Sequence, residues 1–442
     1  MDNVPIVIDN GTGFTKMGYS GNLDPDFVIP TAIAELQYSS STVVSSAKND
    51  DYNYYIGNKG IEISKTSNKH KLIYPMQNGM INDWDVMEKF WHQSLYQYLK
   101  CDPTQHVIVL TEPPMNPPEN REQIAEIFFE TFNVSGLYIG VQAVFALVGC
   151  KRTFEDVING KQKEQKEKGK IDDAQLNSLN KLTGVVVDSG DGVTHVVPVC
   201  DGYSLGGSIK HVPIAGRKIT KFMEQMIRER GEKMNTEDLY YAVMDLKEKY
   251  GYVCRDIIEE LNKYDNKTLD DRTSTWLQSS KFKKFEGFGK ISGKPFSIDL
   301  GYELFMGPEA FFSPEIIDKN YRQSLDEIID TCIQQSPIDY RRDLYANVVF
   351  SGGSTNFRNL DKRLELELQK RIDRRLKKNT SETFKPKPIK CNVTNSMSQK
   401  YVVWVGGSTF SCLGNFRTMY HTRAQYEEMG AACCRFNGVF GF

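Results

Sequence analysis

Two glycine-rich turns, each following an aspartate at the end of an apolar run, are the residues best placed to do chemistry. The first is Asp9-Asn10-Gly11-Thr12-Gly13, after Pro5-Ile6-Val7-Ile8. The second is Asp188-Ser189-Gly190-Asp191-Gly192-Val193, after Gly184-Val185-Val186-Val187. A phosphate group needs backbone N–H donors and close approach of the chain. Glycine supplies both, because it lacks a Cβ and tolerates positive φ. Lys16 lies just beyond the first turn, within reach of phosphate oxygens. Asp9 and Asp188 are expected to face each other across a shared cleft, and two carboxylates beside a polyphosphate suit Mg²⁺ held through its waters. Either turn alone reads as an ordinary hairpin. The matched pair points to a polyphosphate.

A third turn adds to this. Asn347-Val348-Val349-Phe350 reads as a strand, followed by Ser351-Gly352-Gly353-Ser354-Thr355 and a helix from Phe357 or Asn359. Such a junction turns a helix N-terminus toward an anion and lets a flat base lie on bare backbone. Three turns together favour a nucleotide. No G-x-x-x-x-G-K-[ST] stretch occurs, and no strand followed by G-x-G-x-x-G, so neither a P-loop nor a Rossmann unit is expected. Zinc-type His-Glu spacings are missing, and histidines other than His195 read as surface or satisfied core groups.

These residues need elements to hold them. Each glycine turn lies between two apolar runs, Phe14 to Tyr19 returning from the first and Val193 to Val199 from the second, so each predicts a hairpin. A motif repeated once at long range predicts two similarly built halves around one cleft. Between the hairpins, helices are predicted over Asp85–Leu99 and Asn120–Thr131, a buried strand over Val107–Leu110, and a strand turning into a helix over Leu137–Leu147. Alternating strands and helices indicate an α/β fold. Ser39 to Asp51 is polar and reads as mobile, and Glu155–Leu182 as a charged insert. Its Lys161–Lys170 run has no apolar residue and is expected to be dispensable for folding. Glu367 to Lys387 starts as an amphipathic helix and ends in a proline-interrupted loop.

The chain has 442 residues, enough for about two to three domains. Its net charge of −2 gives no pull toward nucleic acid or anionic lipid. No apolar run approaches the ~18 residues of a membrane span, and Met1-Asp2-Asn3 lacks a signal-peptide pattern. The nine cysteines read as reduced thiols of a cytosolic protein. Only Cys433 and Cys434 are close in sequence, and adjacent cysteines seldom pair or make a zinc knuckle.

The three turns resemble those of the actin, Hsp70 and sugar-kinase superfamily, and further motifs resemble its actin branch. These are Tyr74-Pro75, Gly79, Asn82-Asp83-Trp84-Asp85, Thr111-Glu112-Pro113-Pro114, Asn120-Arg121-Glu122, Val141-Gln142-Ala143-Val144, Val212 to Arg217 and Trp404 to Ser408. Asp83 departs from actin's spacing. Ser208-Ile209-Lys210-His211, Pro337 to Arg342, Lys385 to Ile389 and the tail Val439 to Phe442 resemble the actin-related proteins that nucleate branched filaments. Actin's subunit-gripping loop is not recognisable around Ser39 to Asn58.

The resemblance implies an actin-like ATPase fold of four subdomains. The first half is 1–150 plus 402–442, with a smaller subdomain at about 31–74, and the second is 151–401, with one at about 215–306. It implies ATP or ADP with Mg²⁺, bound by Asn10, Gly11, Thr12, Gly13, Lys16, Ser189, Gly190, Asp191, Gly192, Val193, Gly216, Lys247, Glu248, Gly352, Gly353, Ser354, Phe357 and Lys400. Asp9 and Asp188 hold the metal through water, and Gln142 and His195 position the attacking water. Phe357 replaces actin's tyrosine, keeping the ring and losing the hydroxyl. No arginine finger is apparent, so hydrolysis is expected to be slow and to serve a switch. Val148, Thr409, Leu413 and Phe416 line the family's partner groove. The implied partners are actin, actin-related protein 2, the other subunits of a branched-filament nucleating complex and its activators, in the cytoplasmic actin cytoskeleton, without nucleic acid or membrane insertion. A sugar-type kinase, a chaperone and a chromatin actin-related protein are the alternatives. The first lacks an assignable general base, the second a peptide-binding domain, the third a basic targeting run.

Overall fold

The structure, a computed structural model, describes residues 4–37, 53–151, 182–232, 234–264, 283–381, 385–396 and 398–437. The readings for 39–51, for 155–181 and for the tail from 439 lie outside the described residues. Two larger sheets organise the chain, and both follow one plan. In the first, Ile6–Asn10 pairs antiparallel with Phe14–Tyr19, which pairs with Phe27–Pro30. On its other side Ile6–Asn10 runs parallel to Val107–Glu112, and that strand parallel to Gly136–Val141. In the second, Gly184–Ser189 pairs antiparallel with Thr194–Cys200, which pairs with Lys210–Val212. On its other side it runs parallel to Val348–Ser351, and that strand parallel to Val393–Thr394.

The apolar runs account for this. Ile6–Asn10, Gly136–Val141 and Thr194–Cys200 are buried along their whole length, as strands covered on both faces must be. Between the sheets lie the helices Gln142–Lys151 and Val402–Phe410. Their backbones touch: a Cβ on Gly149 would sit 2.3 Å from the Val402 carbonyl oxygen, and one on Gly406 1.8 Å from that of Phe145. Only glycine permits this crossing. The core around the helices takes Val7 and Val109 from the first sheet and Val186, Val197 and Val349 from the second. Trp404 donates its indole N–H to the Val7 carbonyl at 3.0 Å. A single apolar layer thus joins the two halves and sets one hairpin turn opposite the other.

Smaller units ride on each sheet. Ile33–Leu36 pairs with Tyr54–Ile56 and with His70–Ile73, beside the helix Gly57–Thr66. Lys283–Phe288 pairs with Pro295–Leu300, near the helices Gly216–Glu229 and Thr236–Tyr250.

Three helix expectations shift in detail. The helix expected from Asp85 starts at Trp84 and becomes π-helical over Ser94–Leu99. Its N-cap is Asp83, whose carboxylate accepts from the Val86 N–H at 3.1 Å. The next helix starts at Pro118, where a missing N–H costs nothing, and is π-helical over Ile127–Thr131. After the third glycine turn, a single 3₁₀ turn, Gly353–Thr355, comes first and the helix runs from Leu360 to Lys378. Asn359, at φ 68°, breaks the chain direction between them. The helix N-terminus therefore stands beyond the turn instead of opening from it. Among the described residues, no helix is long and apolar enough to cross a membrane.

Candidate functional site

The two hairpin turns close with the same hydrogen bond. Gly11 N–H donates to the Phe14 carbonyl and Gly190 N–H to the Val193 carbonyl, each at 3.2 Å. Their carbonyls are then taken up by the flanking chain. Thr31 binds Gly13 O through its N–H and Gly11 O through its hydroxyl, while Gly216 and Arg217 N–H groups bind Gly190 O and Asp191 O. Among the described residues, the N–H groups of Thr12, Gly13, Asp191 and Gly192 have no acceptor. Tied carbonyls and free N–H groups make a surface that favours anions.

The turns meet tip to tip. A Cβ on Gly13 would lie 3.0 Å from Asp191 Cβ, and one on Gly192 3.1 Å from Thr12 Cγ2. Behind them sits a buried charged triad. Lys16 Nζ donates to Asp9 Oδ2 at 2.9 Å, and Asp9 Oδ1 accepts from the Thr111 hydroxyl at 2.5 Å and the Gln142 amide at 3.3 Å. Asp188 accepts from the Ser351 hydroxyl at 2.7 Å. Burial draws the Lys16 ammonium down, but the Asp9 and Asp188 carboxylates outweigh it and the net shift is upward. Burial raises Asp188, Asp9 adds to the rise, and Ser351 and Lys16 oppose it. A divalent cation would relieve the repulsion between the two carboxylates, so the donor set suits Mg²⁺.

His195 lies in the return strand of the second hairpin, opposite His211. The two rings meet edge to face at 5.0 Å. Burial, with His211 adding, holds His195 down to about 4, so it is neutral at physiological pH. Its Nε2 is buried with no partner among the described residues. A neutral imidazole with one unsatisfied nitrogen is suited to hold a water. The Gln142 amide donates to Asp9 and Thr111, which leaves its oxygen as a second water acceptor.

The cleft between the halves has a volume of about 230 Å³. It brings together Asp9, Asn10, Gly11, Thr12, Gly13, Lys16, Gln142, Asp188, Gly190, Asp191, Gly192, Val193, His195, Gly216, Lys247, Glu248, Gly352, Gly353, Ser354, Phe357 and Lys400. Gly353 is bare toward it, since a Cβ there would meet nothing nearer than Lys400 Cγ at 4.0 Å.

Several expected residues sit differently. Ser189 does not line the cleft; it is fully buried, and its hydroxyl shares a 2.7 Å hydrogen bond with Thr194. Lys247 lines the cleft with its ammonium already bonded. Its ammonium donates to Gly216 O at 3.0 Å and to the Thr220 hydroxyl at 2.9 Å, fixing the turn that carries Gly216. Glu248 is half exposed and lies 3.9 Å from Lys400. Phe357 lines the cleft but packs edge to face on Phe311 within the core of the second half. Phe14, Gly79, Met244, Asn356 and Val403 also line the cleft, unforeseen from sequence. Gly79 had a legible signal, the turn Gln77-Asn78-Gly79; its N–H donates to the Thr12 hydroxyl at 2.8 Å.

Of the four residues expected to line a partner groove, Val148, Phe416 and Leu413 belong to the inter-sheet core or pack against it. Val148 and Phe416 are buried, and Phe416 packs against Tyr138, Phe410 and Tyr420. Thr409 and Leu413 are half-buried, so the accessible part of this wall is Leu413 and Thr409.

A family model described as Actin matches residues 1–437. The chain is 42% identical over 441 residues to Actin-related protein 3 of Dictyostelium discoideum, covering 99% of this chain and 97% of that relative. It is 42% identical over 448 aligned residues to Actin-related protein 3 of Caenorhabditis elegans, covering 98% and 97%. With Actin-related protein 3 of Oryza sativa subsp. indica the identity is 40%, with the same coverage.

Proposed function

This chain belongs to the actin family, and from that premise we propose that it is the MgATP-binding actin-related subunit of a complex that nucleates branched actin filaments. Its partners are actin, actin-related protein 2, the remaining subunits and their activators, in the cytoplasmic actin cytoskeleton. The observation that carries the nucleotide part is the pair of turns. They come from different halves, meet tip to tip and line one cleft together. The nucleotide supplies the γ-phosphate whose presence or loss the turns report.

Thr12, Gly13, Asp191 and Gly192 would offer N–H groups to phosphate oxygens, and Asp9 and Asp188 would hold Mg²⁺, which would offset phosphate charge. Lys16 balances their charge. Gln142 and neutral His195 orient a water without taking its proton outright, which suits slow turnover. Gly353 leaves room for the base. Because the halves share one apolar layer, a ligand gripped by both turns draws them together, and its conversion loosens them. The long similarity to relatives named Actin-related protein 3 supports the nucleating role.

The test is to purify the tagged chain with whatever accompanies it and measure MgATP binding and actin assembly with an activator. Co-purification of a second actin-related subunit and acceleration of branched assembly are expected. A chain that binds MgATP alone and leaves actin assembly unchanged would overturn the nucleating role.

A further inference from the structure

One side-chain cluster lies outside the cleft and takes no part in nucleotide binding. The short turn Ala431–Arg435 carries Cys433 and Cys434, with Sγ atoms 3.6 Å apart. The strand His421–Thr422, at the edge of the first sheet, brings His421 beside them. The ligand atoms of all three lie within 4.8 Å of one another. We propose that Cys433, Cys434 and His421 form a Zn²⁺ site that clamps the C-terminal turn to the edge of the first sheet.

The sulfur spacing suits a shared metal. A disulfide would hold the sulfurs at about 2.05 Å. Two thiolates on one tetrahedral Zn²⁺, each at about 2.3 Å, stand about 3.75 Å apart. With a Zn–N bond of about 2.05 Å, the sulfur–nitrogen edge is about 3.5 Å. No pair then has to close by more than about 1.3 Å, within the reach of side-chain rotation.

His421 carries the second argument. Its Nε2 is buried without a partner among the described residues. In the neutral ring an unpaired Nε2 can offer its lone pair to a metal. A buried imidazole nitrogen without a protein partner, beside two thiols, is placed as a metal ligand is.

Charge and access agree. The two thiols bind Zn²⁺ as thiolates. Binding displaces two protons, Zn²⁺ exchanging for them on the two sulfurs. Arg121, which donates to the Arg435 carbonyl at 2.9 Å, is already paired with Glu112, which accepts from its Nε at 2.9 and 3.0 Å. Cys433 and His421 are half-buried, which gives the ion a way in. Three protein ligands leave a fourth position for water or a further donor.

The test uses the full chain, reduced and stripped of metal. Zn²⁺ is titrated against a chromophoric chelator, and Co²⁺ is added to read thiolate-to-cobalt charge transfer. One Zn²⁺ per chain is expected, with a tetrahedral Co²⁺ spectrum. Cys433→Ser and His421→Gln should each weaken Zn²⁺ at least about tenfold, since even loss of an outer partner costs that much. Cys412→Ser, at an exposed cysteine, should leave the affinity unchanged. Zn²⁺ should raise the melting temperature of the wild-type chain and not of Cys433→Ser. Equal affinity in the ligand variants overturns the site. So does the absence of a thiolate–cobalt band in the wild-type chain, a result that needs no variant to fold.

Discussion

Gly352 and Gly353 are neighbours with opposite surroundings, and that contrast makes the sharpest test of the cleft. Gly352 has φ +88°, and a Cβ there would stand 2.2 Å from the Ser189 carbonyl oxygen. Gly352→Ala therefore forces a left-handed residue, costing roughly 1–2 kcal/mol, and pushes the second hairpin turn out of place. Gly353 has no such strain, and its Cβ would meet only Lys400 Cγ at 4.0 Å. Gly353→Val should leave the nucleotide-free chain as stable as before, or firmer by about 0.4–1 kcal/mol through the unfolded state. Its extra carbons enter the space where the base is expected, in a cleft of about 230 Å³. A loss of about 1.4 kcal/mol is already tenfold in affinity. We predict at least that weakening for Gly353→Val, measured by titration with a fluorescent ATP analogue and Mg²⁺. Melting without nucleotide should stay within about 2–4 °C for Gly353→Val and fall for Gly352→Ala. Wild-type affinity in Gly353→Val would refute the placement of the base. Wild-type stability in Gly352→Ala would refute the geometry of the turn.

The buried His195 should leave a signature in acid. Unfolded, it binds a proton near 6.5; folded, only near about 4. Between those values the unfolded state holds more protons, so stability present above pH 6.5 is lost as pH falls, by up to roughly 3 kcal/mol. His195→Gln should flatten that part of a stability–pH curve, and an unchanged slope would show that the ring is solvated. Leu413→Asp should preserve melting and MgATP binding yet sharply reduce branched nucleation, because the half-buried side chain can turn its carboxylate outward while a partner's apolar surface cannot accept it. Phe416→Asp, among three rings, should instead fail to fold. Full nucleation by purified Leu413→Asp complex would remove Leu413 from the partner surface.

The features legible in the sequence are those carried by neighbours along the chain. A strand-end aspartate, a glycine pair in a tight turn and an unbroken apolar run each announce themselves within about ten residues, so both hairpins and the third turn could be read directly. Where a helix begins is also local: after the third turn it starts at Leu360, one residue past Asn359, whose left-handed φ of 68° is a conformation asparagine tolerates. The motifs put Lys247 and Ser189 at the site without saying what their side chains bond to. Their hydrogen bonds to Gly216, Thr220 and Thr194 turn one into a brace and bury the other. Most dependent on tertiary structure are the contacts between distant segments. Arg121, Glu112 and the Arg435 carbonyl form one buried group, and His421 meets Cys433 and Cys434, only because the sheet edge and the C-terminal turn fold onto the same surface. Residue type and spacing specify local conformation through φ, ψ and burial. Which side chains face one another across the fold is decided by how the two halves pack, and no short stretch of sequence contains that information.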